Sequence, residues 1–474
     1  MGTSVAITIT MEDDDLAAIQ VAMMLNAAAA HLVASAAFDD VGDDVGKIDH
    51  RKLSRKSKTK WRHADALYCI KRDYLGDPLD ALTPLMTEKQ FVLHFRITRS
   101  RFQRLMNDIV SADIHFYKQA KAGDGSVGAS LEAKLLLPLK CLAYGVPPHT
   151  FQDYFQMSQT LARDCCINFD RTVKLLYQSE YLRTPTEEDL KSLLKLHRHQ
   201  HGTDGMFGSL DCMHTYWKNC PKGWQGSFQG KEKRPSIVLE AISDYHLWFW
   251  HASYGYAGTL NDLIILNMSP FLQSLVDGSF IEREKGVVPY EIAGSEFQYC
   301  FILVDGIYPP YSRFVRSIPE PIGERQKAFS GWQESCRKDV ERAFGVLQAK
   351  FQVLARPMLQ HNLDQIANKV ASCMILHNMC VSDRVMGDVN ARYNPGFSVA
   401  DYKEVVEQAA DLELVQGRGA NEIDRTIGAQ NLPVDAIAGF TDKQRWDDLK
   451  SVEHHNRLIE ALMDQESSKR TAPN

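Results

Sequence analysis

At residue 206 the hydrophobic pattern changes period, and that change constrains the fold more than any other feature of the chain. Upstream, apolar residues recur at helical spacing, as in TEKQFVLHFRITRSRFQRLMNDIV from Thr87 and QTLARDCCINFDRTVKLLY from Gln159. Downstream, MFGSLDCMH, PSIVLEAISD and LWFWHASYG have the length and alternation of strands. LNDLIILNMSPFLQSL then reads as a helix and YCFILVDGIY as a buried strand. Another helix follows in CRKDVERAFGVLQAKF, where Val340, Phe344, Leu347 and Phe351 form an apolar stripe. Three strands, a helix, a strand and a helix predict an α/β unit, a mixed sheet with covering helices.

The region before the sheet is predicted to be all-α. Thr87 offers an N-cap, a break falls near Ile97-Thr98, and Ser158 caps a long helix. Leu131–Tyr144 is helical, with Pro138 expected to kink it and Gly145 to end it. A short helix near 149–155 and the long helix after it follow helix-turn-helix grammar, although plain helical packing produces the same pattern. Arg96, Arg99, Arg101 and Arg104 crowd the break at 97–98; together with Arg163 on the long helix they are candidate DNA contacts.

Charge divides the chain further. Residues 1–50 hold nine acids and one base, an acidic arm; residues 51–62 hold seven bases and no acid. That cluster reads as a linker, a nuclear-import signal or a phosphate-contacting arm. A helical region is expected over 87–180 and a catalytic domain over 200–384. The tail, 385–474, has sixteen acids against ten bases and ends in an amphipathic helix, so the overall charge of −6 resides in the tails. The ten cysteines show no disulfide framework, and reduced thiols are expected. The alanine-rich run Leu16–Phe38 follows four acids and is broken by polar residues, so it is read as a marginal helix and no membrane role is expected.

The candidate chemistry lies in three carboxylates. Asp211 sits on the first strand, Asp305 at the end of the fourth, and Glu341 at the edge of the apolar stripe, with Gly345 leaving room one turn on. A crossover helix implies parallel neighbouring strands whose carboxyl ends adjoin, which is where ligands of α/β sheets collect. On spacing alone Glu341 is equally a solvated residue paired with Arg337. If it leans over the same sheet edge, three carboxylates converge with no intervening cation, and hard cations such as Mg²⁺ favour such oxygen ligands. Metal-assisted phosphoryl transfer is the chemistry that this arrangement suggests.

GSLDCMHTYWKNCP, GTLNDLIILNMSP, FILVDGIYPPYSRFV, ESCRKDVERAFGVLQAKF and ILHNMCVSDR, in that order, resemble successive blocks of the PIF/Harbinger transposases, members of the DDE superfamily. The similarity runs from about residue 90 to 384. It implies an RNase H-like core with Asp211, Asp305 and Glu341 as catalytic metal ligands, and thirty-five residues lie between the last two, as in the family. It also implies two Mg²⁺ or Mn²⁺ ions, a DNA substrate that is cut and joined, a Myb/SANT-like partner protein and a nuclear location. A host-adapted DNA-binding protein that no longer cuts is the alternative, and a homo-oligomer is left open. The chain departs from the family at Thr215, where relatives often have Trp, and at Ala257, where they often have Pro; Pro138 also interrupts a helix usually free of proline.

Asp262 belongs to a matched block and is expected to cap a helix or, like Arg337, to support the metal ligands from behind, with direct metal contact as the alternative. Asp204 and Asp244 are expected to be solvated turn residues. Cys212, His214 and Cys220 lack a fourth zinc ligand and read as packing, and His377 as a buried, hydrogen-bonded histidine.

Overall fold

The computed structural model describes residues 61–121, 125, 127–277, 279–280, 289–386 and 443–471. The acidic arm, the first ten residues of the basic cluster, the run Leu16–Phe38 and most of the acidic tail lie outside them. Pro221–Gly226 belongs to a separate unit, a turn in which the Trp224 amide donates to Pro221 O at 2.9 Å; the other described residues form one unit.

That unit opens with helices whose ends are set by side chains. Helix α1 covers His63–Ile70, α2 Glu88–Phe95 and α3 Arg99–Ser111. Thr87 and Gln90 form a capping box on α2, and Thr98 caps α3 by accepting from the Arg101 amide. Helix α4, Leu131–Tyr144, runs through Pro138 and stops at Gly145, whose φ of +62° is the left-handed conformation glycine adopts most readily. A short α5, Gln152–Phe155, leads to α6, Gln159–Tyr181, capped by Ser158, and then to α7, Glu187–His201.

Strand β1 is Met206–Tyr216, β2 Ser236–Ser243 and β3 Phe249–Ala257. Helices α8, Asp262–Met268, and α9, Pro270–Val276, follow, then a hairpin of β4, Tyr290–Ile292, and β5, Ser295–Phe297. Strands β6, Phe301–Leu303, and β7, Phe314–Val315, complete a five-stranded sheet in the order β3-β2-β1-β6-β7. β1 is antiparallel to β2, and β2 to β3, whereas β6 and β7 run parallel to β1 and to each other in turn. The expected mixed sheet and the helical region before it are both present.

Helix α10, Gly323–Lys350, lies across this sheet. Val340, Phe344 and Leu347 on it and Phe351 just beyond are buried, and the Phe344 ring meets Phe249 of β3 at 5.9 Å. Helix α11, Leu363–Met386, packs along α6, so α6 is held between α4 and α11. The long helix of the helix-turn-helix pattern is therefore a packing helix, with its Phe169, Val173 and Leu176 fully buried. A buried ion pair, Lys369 Nζ to Asp170 Oδ2 at 2.6 Å, joins α11 to α6.

The terminal amphipathic pattern becomes two helices, α12, Lys443–Leu449, and α13, Val452–Thr471. Leu458, Ala461, Leu462 and Met463 of α13 join one core cluster with Met206 of β1, Phe301 and Leu303 of β6, Val315 of β7 and Phe329 of α10. Leu462 is fully buried there, so Leu462→Ala should cost about 2–5 kcal/mol in denaturant unfolding. A loss below about 0.5 kcal/mol would mean that α13 adds little to this core.

Candidate active site: a carboxylate cluster bridged by an arginine

Register brings the two aspartates level. In the parallel pair Ser209 of β1 lies opposite Leu303 of β6, so Asp211 and Asp305 each stand two residues past the same rung. Alternation puts Ser209 and Asp211 on one face of the sheet. That face is the α10 side, because Ser209 Oγ donates to Cys336 O at 3.4 Å.

Glu341 is on α10, exposed at the edge of the buried stripe. Arg337, one turn earlier, reaches both acids: its guanidinium lies 2.9 Å from Glu341 Oε1 and 3.4 Å from Asp211 Oδ2. The expectation of carboxylates without a neutralising cation is thus corrected. Sequence spacing could show only the helical pair, because the contact with Asp211 spans 126 residues of chain.

The cluster is electrostatically coupled. Burial pushes the Asp211 carboxyl up to about 6, with Asp262 and Glu341 adding to the shift while the Cys212 amide and Arg337 oppose it. Burial also raises Asp262; Cys212 and His214 lower it and Asp305 raises it. Asp262 therefore stands between the two aspartates in charge. It does not cap α8: Asn261 does, accepting from the Ile264 amide at 2.9 Å. Asp305 is exposed. A Cβ built on Gly306 or on Gly345 would meet nothing within 4 Å, so there is open space beside Asp305 and one turn beyond Glu341. Gly345→Ala should raise stability by about 0.5–1 kcal/mol, as alanine does inside a helix. A fall in unfolding free energy would show that the space is needed for folding.

Other acids and histidines behave differently. Among the described residues, the group of three whose ligand atoms all lie within 4.8 Å of one another is His197, His201 and Asp339. Its donors already have protein partners. His197 Nδ1 pairs with Met206 O at 2.8 Å and Nε2 accepts from the Tyr245 amide at 3.2 Å, which fixes a neutral ring; burial lowers its pKa to about 4. Asp339 is shared by His201 Nε2, at 2.7 Å, and Arg342. This arrangement reads as a hydrogen-bonded joint between α7, β1 and α10.

Asp244 was expected in solvent but is buried, accepting from Trp248 N at 3.0 Å and Trp250 Nε1 at 2.9 Å, and burial pushes its carboxyl up to about 6. Asp204 pairs with Arg198 at 3.4 Å. Glu240, fully buried on β2, accepts from His251 Nε2 at 3.1 Å; no sequence signal singled it out. His377 is buried as expected, with Nε2 on Leu247 O at 2.8 Å. All ten cysteines are free, and His214 pairs with Ser236 Oγ at 3.1 Å.

At the α2–α3 break, Arg99, Arg101 and Arg104 make contacts within the fold. Arg101 is 2% exposed and bound to Asp383 of α11 and to Tyr181. Arg99 pairs with Glu88 at 2.7 Å and donates to Tyr74 O at 2.5 Å. Arg104 lies mostly buried 3.9 Å from Asp108, and Arg96, half-buried with a buried Nε, is the left-handed C-cap of α2. Arg99 and Arg101 hold the break through polar side-chain contacts, whereas Arg96 takes part through its backbone. Arg163 remains largely exposed on α6, 3.7 Å from Asp164, at a cavity of about 560 Å³ that includes none of the four clustered acids.

No helix among the described residues is long and apolar enough to cross a membrane. Comparison with known proteins supports the resemblance. Residues 179–388 match the family described as plant transposon protein. A protein from Arabidopsis thaliana named "Protein ALP1-like" is 22% identical over 315 residues, 63% of this chain and 73% of its own length. No solved structure matches the chain. The family match and the relative together support a Harbinger-type, transposase-like protein.

Proposed function

We propose that this chain is a divalent-metal-dependent DNA nuclease of DDE type, with Asp211, Asp305 and Glu341 as its catalytic carboxylates on an RNase H-like core. The observation that carries this reading is placement: the parallel β1–β6 register sets Asp211 and Asp305 level, and Arg337 ties Glu341 of α10 to Asp211. A central strand bearing the first acid, a parallel neighbour leading to the second and a covering helix bearing the third form the plan that such a core requires.

The donor set suits Mg²⁺ or Mn²⁺. Its ligand atoms are carboxylate oxygens, and burial disfavours the charged form of Asp211, a cost that a hard cation bound there would offset. Asp211, Asp305 and Glu341 would hold the ions, with Asp262 beside them. Bound there, the ions would supply Lewis-acid polarisation of a phosphodiester and a nucleophilic oxygen. The chain itself fixes Asp211 on a strand paired on both sides and Glu341 on a helix pinned by its buried stripe, so the acids are positioned before substrate arrives.

DNA as substrate, a Myb/SANT-like partner that brings the chain to DNA and a nuclear location belong to the same reading. Residues 63–384 carry almost no net charge, so the isolated chain is expected to bind DNA weakly and to lose that binding steeply with salt. Filter binding across a salt series measures this, and tight sequence-specific binding by the chain alone would remove the need for a partner. The test of catalysis is strand cleavage of DNA bearing the element's terminal repeats, in Mg²⁺ or Mn²⁺ and then in EDTA. Cutting that survives EDTA overturns the metal-dependent mechanism. The Arg337 bridge favours a second reading, a transposase-derived DNA-binding protein that no longer cuts, and a metal-replete assay without cleavage would select it.

A further inference from the structure

We propose that Arg337 is a built-in counter-ion of the acid cluster, and that its bridge between Asp211 and Glu341 and the binding of a divalent cation by those acids exclude each other. The inference rests on the preceding functional reading but concerns a different property, the competition for the site.

The geometry of Arg337 is not that of an ordinary helix-surface pair. An arginine four residues before a glutamate is the weaker of the two orientations on a helix. A mostly buried guanidinium, with its side chain 19% exposed, would gain little from that contact alone. Its second partner, Asp211 Oδ2, comes from the central strand, and the planar fork can serve both carboxylates at once. One guanidinium thus touches two of the three acids assigned to metal and links α10 to β1.

A cation bound between these carboxylates would need the same oxygens and would repel the guanidinium at contact distance. Arg337 must then leave at least one acid, and the neighbouring space is open: nothing lies within 4 Å of a Cβ built on Gly345. The bridge steadies the metal-free protein and weakens its hold on metal. Arg337 is a positioning residue in this scheme.

The test uses the full-length chain without DNA and Mn²⁺ as the probe. Isothermal titration calorimetry compares wild type with Arg337→Met and Arg337→Lys. The methionine variant should bind Mn²⁺ about tenfold more tightly, since the competing ion pairs are gone. The lysine variant should fall between the two, because a point charge cannot bridge both acids. Thermal unfolding provides the second readout: metal-free Arg337→Met should melt lower than wild type, whereas the Mn²⁺-loaded proteins should melt together.

Equal affinity in all three proteins, or weaker binding in the variants, overturns the proposal while leaving the metal-dependent site standing. Failure of both the wild type and Arg337→Met to bind Mn²⁺ at millimolar concentration overturns the functional reading and this proposal with it. Should Arg337→Met not fold, the comparison of Arg337→Lys with wild type decides.

Discussion

Asp305→Asn should abolish strand cleavage, lowering its rate at least about 10³-fold, the equivalent of the several kcal/mol that metal-held charge contributes. DNA binding should be unchanged or stronger, because the substitution removes a ligand charge and keeps the shape. Asp305 is exposed, so little folding energy depends on it. Asp211→Asn should be equally inactive but should separate chemistry from folding. The carboxyl of Asp211 is held near 6 in the folded protein against an ordinary 3.8, so folding favours its protonated form. The resulting penalty is absent below about pH 3.8 and sets in through pH 6. At pH 7 asparagine removes it, and the melting temperature should stay level or rise although Arg337 loses one partner. Cleavage by either variant within tenfold of wild type would sink the assignment.

Lys369→Met should cost about 3–5 kcal/mol in urea unfolding, because it leaves Asp170 charged and without its 2.6 Å partner inside the α6–α11 interface. Both residues are buried. Replacing the pair together, Lys369→Met with Asp170→Leu, should recover most of the loss, since two apolar side chains need no counter-charge. If the double variant is no more stable than the single one, the pair acts through local packing instead of through charge.

Features that depend on neighbours three or four residues away, or on alternation, were legible in the chain. The caps at Thr87 and Ser158, the stop at Gly145, strands β1 to β3, the buried stripe of α10 and the order of the acidic blocks are all of this kind. Each follows from a hydrogen bond or an apolar contact that closes within a turn or a pleat. Short elements were not legible: the β4–β5 hairpin and the two-residue β7 are too brief to show a period.

Only tertiary structure decided which charged groups are structural. Arg101 and Asp383 are 282 residues apart, and neither local sequence predicts the pair. Asp244 reads as a turn acid until Trp248 and Trp250 close over it. The same holds for Arg337. The sequence determined that it stands four residues before Glu341, and the sheet decided that Asp211 would meet its other side. Local periodicity specifies elements and the faces they bury, whereas an ion pair between distant segments exists only when packing has brought both partners together and removed the water between them.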